Sequence, residues 1–171
     1  MERIVSTPRI KKFKRRLEKA LSIKIHFLED TAEIESIGES GIEEYTALSV
    51  IEAMNFGFDL NIALQLKNED YMMEKLNLRK HVRSSRISTI RGRIIGLGGK
   101  TKRIIADLSD CGIALKDNII AIIGKTDDVK VASRAVTLLM QGSPHSSVYA
   151  FLEKNRKIRK EDDMGFRNED F

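Results

Sequence analysis

The chain has 171 residues, of which 42% are hydrophobic and 32% charged, with a formal net charge of +5. Its longest apolar run, residues 119–123, is far shorter than a membrane-spanning helix, and the N-terminus lacks the apolar segment of a signal peptide. Cys111 is the single cysteine, which excludes an intrachain disulfide and a thiolate cluster for zinc. We therefore expect a basic cytoplasmic protein without a membrane segment.

Charge is distributed unevenly along the chain. Residues 1–80 hold 13 basic and 14 acidic side chains, net −1, whereas residues 81–171 hold 17 basic and 11 acidic, net +6. No acidic residue lies between Glu74 and Asp107, and no lysine or arginine lies between Lys24 and Lys67. The second half is therefore the candidate for binding a polyanion such as nucleic acid.

The N-terminal part predicts a helix, a hairpin and a second helix. Apolar residues recur at helical spacing over residues 13–21 and 47–54, and two strand-like runs, 23–28 and 32–37, lie between them. Asp59 is placed to cap a short helix that follows.

A similar order recurs in the second part, preceded by an extra helix and a glycine loop. The predicted segments are a strand at 76–80, helices at 84–95 and 101–108, strands at 113–115 and 119–123, and a helix at 132–139. The bland alternative is a chance repetition in an ordinary α+β protein. We favour an α+β fold of two small packed units, residues 1–72 and 73–142.

Residues 143–171 form a third segment. Ser143 and Pro144 suit an N-cap and a first helical position, which predicts a last helix that ends at about Arg156. From Lys157 onward the chain is highly charged, and we expect a disordered tail.

Two helices are joined through Gly96-Leu97-Gly98-Gly99, and seven basic residues lie between Arg83 and Arg103. Glycine lets a phosphate approach the backbone, and the N–H groups that begin the next helix would point at it. The pattern predicts a clamp for a nucleic-acid backbone. Its candidate residues are Arg86, Arg91, Arg93, Ile95, Gly96, Leu97, Gly98, Gly99, Lys100, Lys102 and Arg103.

Other interpretations of this segment are weaker. A P-loop would need glycine at Ile94, and a dinucleotide fingerprint would need glycine at Thr101, so both nucleotide motifs fail by one residue. A solvated basic helix face stays open as the ordinary alternative. The residues predict neither an enzyme nor a cofactor or metal site, because no nucleophile with a base, carboxylate pair or histidine cluster stands out.

The arrangement β-α-α-β-β-α with Gly-X-X-Gly between the first two helices resembles the type I KH domain. Together with residues 91–101, Gly124 and the run 142–153, it resembles the two-KH ribosomal RNA processing factors of archaea and eukaryotes. This resemblance implies two tandem KH units, each a three-stranded sheet with helices on one face. The first unit lacks the glycine loop, so we expect it to be degenerate, with its first strand and helix truncated or reworked.

The resemblance also implies partners. It points to single-stranded RNA at the 3′ end of small-subunit rRNA, and to the alpha subunit of translation initiation factor two. Because acidic residues repel RNA, we expect Glu33, Glu35 and Glu39 in the first unit to contact protein instead. An interaction adaptor with incidental RNA binding remains the alternative function, and a phosphate-using enzyme built on the glycine loop is a third.

Overall fold

The computed structural model describes residues 2–5, 7–29, 31–37 and 41–165 of the chain. The first half forms one three-stranded antiparallel sheet in the order β1-β3-β2, with its helices on one face. Its elements are β1 (Glu2–Val5), α1 (Pro8–Leu21), β2 (Ile23–Phe27), β3 (Thr31–Ser36), α2 (Ile42–Phe56) and α3 (Leu60–Ala63).

The second half forms another three-stranded antiparallel sheet, in the order β4-β6-β5. Its elements are β4 (Tyr71–Asn77), α4 (Leu78–His81), α5 (Ile87–Ile95), α6 (Lys100–Ser109), β5 (Gly112–Lys116), β6 (Ile119–Lys125), α7 (Thr126–Met140) and α8 (His145–Asp163). Strand and helix order therefore follow β-α-α-β-β-α, apart from the one-turn helix α4 and the appended helix α8.

The second sheet is buried on both faces, and the central strand β6 shows why. Ile120 and Ile122 pack among the helices of the second half, whereas Ala121 and Ile123 belong to the core of the first half. Successive side chains of a strand point to opposite faces. An unbroken apolar run is therefore what a strand shared by two cores requires.

Helix α2 lies between the two sheets and joins the halves. Its buried residues pack on the first sheet and belong to the same core as Ala114 on β5. Two polar contacts also connect α2 to the second sheet. Lys75 on β4 pairs with Glu52 at 2.6 Å, and Lys116 on β5 donates to the carbonyl of Asn55 at 2.9 Å. A helix with apolar residues on two sides is what this position demands.

The structure confirms the α+β class, two three-stranded sheets, and the order of elements in both halves. The second sheet begins at Tyr71, two residues before the predicted boundary at 73. The expectation of a truncated first strand was wrong, because β1 is present and pairs with β3. What the first half lacks is the extra helix with its glycine loop, since Thr7 leads directly into α1.

Three local features differ from the sequence prediction. The first strand of the second half spans Tyr71–Asn77, and residues 78–81 form a one-turn helix rather than a strand. Asp59 stands at the N-cap of α3 but pairs with Arg9 at 3.1 Å and makes no capping bond. Helix α8 begins at His145 and continues to Asp163, so its last two turns replace part of the predicted disordered tail.

Gly112 lets the two halves approach closely. A Cβ at this position would lie 2.8 Å from Cγ2 of Ile62 and 3.2 Å from Cε1 of Phe58. The first half therefore presses directly on the backbone of β5.

We expect Gly112→Ala to lower the free energy of unfolding by about 1–3 kcal/mol, because it overpacks this contact. Urea unfolding followed by circular dichroism measures the effect. Gly92→Ala is the matched control, since a Cβ there meets nothing within 4 Å and alanine favours the helix interior by about 0.5–1 kcal/mol. If Gly112→Ala unfolds at the same urea concentration as the parent chain, this contact does not join the halves.

Candidate nucleic-acid interface

Gly96 ends α5 in a conformation that only glycine adopts easily. Its φ is 73° and its ψ 173°, and a Cβ would overlap Oγ1 of Thr101 and lie 2.6 Å from the Thr101 backbone nitrogen. The first glycine of the loop is therefore needed for the close approach of α5 and α6.

Gly98 and Gly99 have a different role. Both are left-handed, with φ of 57° and 77°, and a Cβ at either position would meet nothing within 4 Å. They turn the chain through a 3-10 turn, Leu97–Gly99, directly into α6, and the N–H of Gly99 donates to the carbonyl of Gly96 at 3.1 Å. The first N–H groups of a helix have no acceptor within the helix, and in α6 that of Lys100 donates to the carbonyl of Leu97 in the loop.

Cations lie along both helices, α5 and α6. Arg86, Lys100 and Arg103 are exposed, and Arg91 and Lys102 are half-buried. Arg103 donates to the carbonyl of Gly98 at 2.6 Å and to that of Gly99 at 3.4 Å, which holds its guanidinium beside the loop. Arg91, Lys100, Lys102 and Arg103 thus leave charge accessible on the two helices that flank the loop, whereas Arg86 lies at the N-cap of α5, at the end of that helix opposite the loop.

Arg93 is used differently from the other cations of the segment. It donates to the carbonyl of Ser143 at 2.6 Å, and its own carbonyl accepts from Nε2 of His145 at 2.9 Å. Both bonds fasten α5 to the beginning of α8.

The apolar residues near the loop divide into core and surface. Ile105 and Ile113 are buried in the core of the second half, so they do not wall an open groove. Ile95 and Leu115 are half-buried and keep some apolar surface available. Leu97, in the first X position of Gly-X-X-Gly, is 95% exposed.

Helix α8 braces the loop from the side, which sequence reasoning missed. Tyr149 donates from its hydroxyl to Oγ1 of Thr101 at 3.1 Å, and the rings of His145 and Tyr149 lie 6.1 Å apart at 57°. Thr101 and Tyr149 are 48 residues apart in the chain. Only the run 142–153, noticed for its resemblance, hinted that this helix matters.

The far end of α8 is anchored by Arg159. Its guanidinium pairs with Asp128 at 2.6 Å and with Asp110 at 3.2 Å, and it also donates to the carbonyls of Leu108 and Ser109. It therefore satisfies the C-terminal carbonyls of α6 and the largely buried carboxylate at the start of α7. The predicted tail boundary at Lys157 had excluded this residue from the folded protein.

The acidic residues of the first half are less free than the sequence suggests. Glu33 and Glu35 lie on the outer face of β3, and Glu35 is 3.6 Å from His26 on β2. Glu43 and Glu44 hold the hydroxyl and the backbone N–H of Ser36. Glu39 lies outside the described residues.

Cys111 is a buried packing residue. Burial raises the pKa of its thiol to about 11, so the thiol stays protonated at neutral pH. A Cβ on Gly124 would lie 2.6 Å from its Sγ, which explains the glycine opposite it. Among the described residues no group of three or more metal-ligating side chains comes together, and no helix has the length and apolarity to cross a membrane.

Comparison with known proteins identifies the family. Residues 72–157 match the family model for the second KH domain of PNO1 proteins, a eukaryotic type KH domain (KH domain type I). The chain belongs to this family. The matched KH domain begins within β4 and extends through most of α8, so it includes both the glycine loop and the helix that braces it.

Several proteins of this KH family are similar to the chain. It is 31% identical to the KH domain-containing protein MJ0443 of Methanocaldococcus jannaschii over 86% of this chain and 67% of that protein. It is 33% identical to the pre-rRNA-processing protein pno1 of Schizosaccharomyces pombe over 67% of this chain and 48% of that protein. The chain thus spans about half the length of this fission yeast relative.

A solved structure has the same KH fold. The crystal structure of the a/eIF2alpha–aDim2p–rRNA complex from Pyrococcus horikoshii OT3 contains a chain that superposes with a TM-score of 0.79 and 30% identity. The superposition covers 91% of this chain and 93% of that one.

We expect Arg159→Ala to lower the free energy of unfolding by about 2–4 kcal/mol, because it leaves Asp128 buried without its cation. Urea unfolding measures the loss, and adding Asp128→Asn should restore part of it by removing the orphaned charge. Lys157→Ala is the control, since Lys157 forms an exposed pair with Glu161 at 3.9 Å, which contributes little to stability. Equal stability of all three variants would mean that the cluster does not anchor α8.

Proposed function

We propose that this KH protein binds single-stranded RNA at the glycine loop and takes part in processing small-subunit ribosomal RNA in the cytoplasm. One observation carries the proposal: two left-handed glycines lead the chain directly into the N-terminus of α6, where arginines and lysines are accessible. No acidic residue lies between Glu74 and Asp107 in the sequence. Backbone N–H groups and cations together are what a phosphate requires.

The loop acts by holding RNA, and the proposal includes no cleavage step. The backbone amides of Gly98 and of the first turn of α6 after Lys100 contact phosphates, because the N–H of Gly99 already donates to Gly96 and that of Lys100 to Leu97. Arg91, Lys102 and Arg103 add attraction. Ile95 and Leu115 offer apolar surface to about four unstacked bases, which are then read by their edges. We assign Arg93 to holding α8 against α5, because its guanidinium is already bonded to Ser143.

Ribosomal RNA is the preferred target because of the relatives. The fission yeast protein is called a pre-rRNA-processing protein, and the Pyrococcus structure is a complex with rRNA. We propose the 3′ end of small-subunit rRNA as the bound segment. Crosslinking in a cell extract, followed by sequencing of the captured RNA, tests this directly: enrichment of that segment is expected, and an unrelated RNA population would contradict it.

Gly98→Asp combined with Gly99→Asp should weaken RNA binding by about 100-fold or more, because two carboxylates would face the phosphates. Fluorescence anisotropy with a labelled single-stranded RNA measures the change. Gly98→Asn with Gly99→Asn is the matched control, since it places side chains of equal size and the same backbone strain without charge. If the folded aspartate variant binds like the asparagine variant, the loop does not hold phosphate.

Binding should also depend on salt. About three to five phosphate contacts to a single strand imply a slope of about −2 to −3.5 for log affinity against log salt concentration. Titrations at a series of salt concentrations give the slope, and duplex RNA of the same sequence should bind more weakly. A flat response, or tighter binding to duplex, would place the RNA on another surface.

We further propose that the outer face of β3 contacts protein, with the alpha subunit of translation initiation factor two as the partner. Glu33 and Glu35 lie there on the side of the sheet opposite the helices. Their charge would repel RNA and attract a basic protein surface. The Pyrococcus complex supports this choice, because it contains a/eIF2alpha together with aDim2p and rRNA.

Glu33→Lys with Glu35→Lys should reduce capture of this subunit in a pull-down, because the reversed charges repel a basic surface, and should leave RNA affinity unchanged. Glu69→Lys with Glu161→Lys changes net charge equally at exposed sites elsewhere and serves as the control. Loss of RNA affinity with intact capture of the subunit would show that the two halves have opposite roles.

A further inference from the structure

A groove adjoins the glycine loop on the side that faces α8, apart from the apolar surface of Ile95 and Leu115. It has a volume of about 460 Å³, and its walls include Leu97 and Lys100 from the loop and α6, and His145 and Tyr149 from α8. Of the residues that the structure describes, no acidic one lines it. We call this shallow, open depression the α8 groove.

Hydrogen bonds within the protein fix both aromatic rings of the α8 groove. Tyr149 is fixed through its hydroxyl bond to Thr101, and His145 through its bond to the Arg93 carbonyl. Because a carbonyl oxygen only accepts, Nε2 of His145 carries a proton, and in the neutral ring Nδ1 is left as an acceptor. Fixed rings lose little conformational freedom when a base stacks on them.

The exposure of the Leu97 side chain is a second observation that points to a ligand. A leucine at the tip of a loop, 95% exposed, contributes nothing to the core of the protein. It lines the same groove as the two rings. Apolar surface on the loop, aromatic surface on α8 and the Lys100 cation form a set that suits a nucleotide, with a flat apolar base and a negative phosphate.

We propose that the α8 groove receives the base of a nucleotide adjoining the phosphate held at the start of α6. The base packs against Tyr149 and Leu97, and Nδ1 of His145 accepts from a 2′-hydroxyl or an exocyclic amine. This rests on the proposed function, and it extends the bound strand beyond the Ile95 and Leu115 side of the loop. Aromatic stacking, which the sequence around the loop does not offer, comes from α8.

The test uses the full chain and a fluorescent single-stranded RNA copied from the 3′ end of small-subunit rRNA. Tyr149→Leu and Leu97→Ser should each weaken binding about tenfold, the usual effect of losing one base stack. The salt slope should stay unchanged, because the phosphate contacts remain. Tyr149→Phe keeps the ring but removes the hydroxyl bond to Thr101, so it should lose clearly less affinity than Tyr149→Leu. Tyr45→Leu, a change at an exposed tyrosine on α2, is the control.

The outcomes separate this inference from the proposed function. If the parent chain fails to bind the RNA, the proposed function fails first and the inference with it. If the parent chain binds the RNA, and Leu97→Ser and Tyr149→Leu both bind it with the same affinity as the parent chain, the groove holds no base. If Tyr149→Phe is as damaging as Tyr149→Leu and the salt slope becomes shallower, Tyr149 only props the loop through Thr101, and the proposal is overturned.

A crosslinking experiment locates the base. The same RNA carrying 4-thiouridine, irradiated on the parent chain and digested, should link to the peptide that contains His145 and Tyr149. Crosslinks confined to α6 and β5 would place every base on the other side of the loop and overturn the proposal.

Discussion

The rest of the structure depends on a strand that belongs to two cores. Ile120 and Ile122 of β6 pack beneath the helices of the second half, and Ala121 and Ile123 pack against the first half. Because units of this size bury little surface and are only marginally stable alone, a shared sheet adds stability by removing apolar area from water on both of its faces. The second sheet is thereby a rigid base for the helices that carry the glycine loop.

The glycine loop is positioned by contacts at both ends of α8. The beginning of α8 is bonded to both helices that flank the loop, through Arg93 with His145 and through Thr101 with Tyr149. Arg159 bonds its far end to α6 and α7. A loop that holds phosphate with backbone amides must keep those amides in place, because displaced donors lose their geometry. The matched KH domain accordingly includes most of this helix.

Charge separates the two surfaces for which we propose partners. Arginines and lysines cluster around the loop of the second half, whereas Glu33 and Glu35 lie on the outer face of the first sheet. The missing helix and loop of the first half remove the anion site that a glycine loop provides, so the same topology can serve two different partners.

Local sequence determined the parts of this protein that depend on near neighbours. Helical and alternating apolar spacing indicated α1, α2, α5, α6 and α7 and both hairpins, and the glycines with their basic neighbours indicated the candidate phosphate site. These features are readable because their physical causes, periodicity and backbone freedom, act within a few residues. The extent of α8 was less readable, since its charged last turns resemble a solvated tail.

Tertiary structure alone decided which residues meet across the chain. It paired β1 with β3, buried the second sheet on both faces, and drew Arg159 onto Asp128. It also placed the rings of α8 beside Leu97, which turned a loop without aromatic neighbours in sequence into one with an aromatic groove. The physical reason is that burial and ion pairing depend on the packed arrangement of distant segments, which no local pattern of residues encodes.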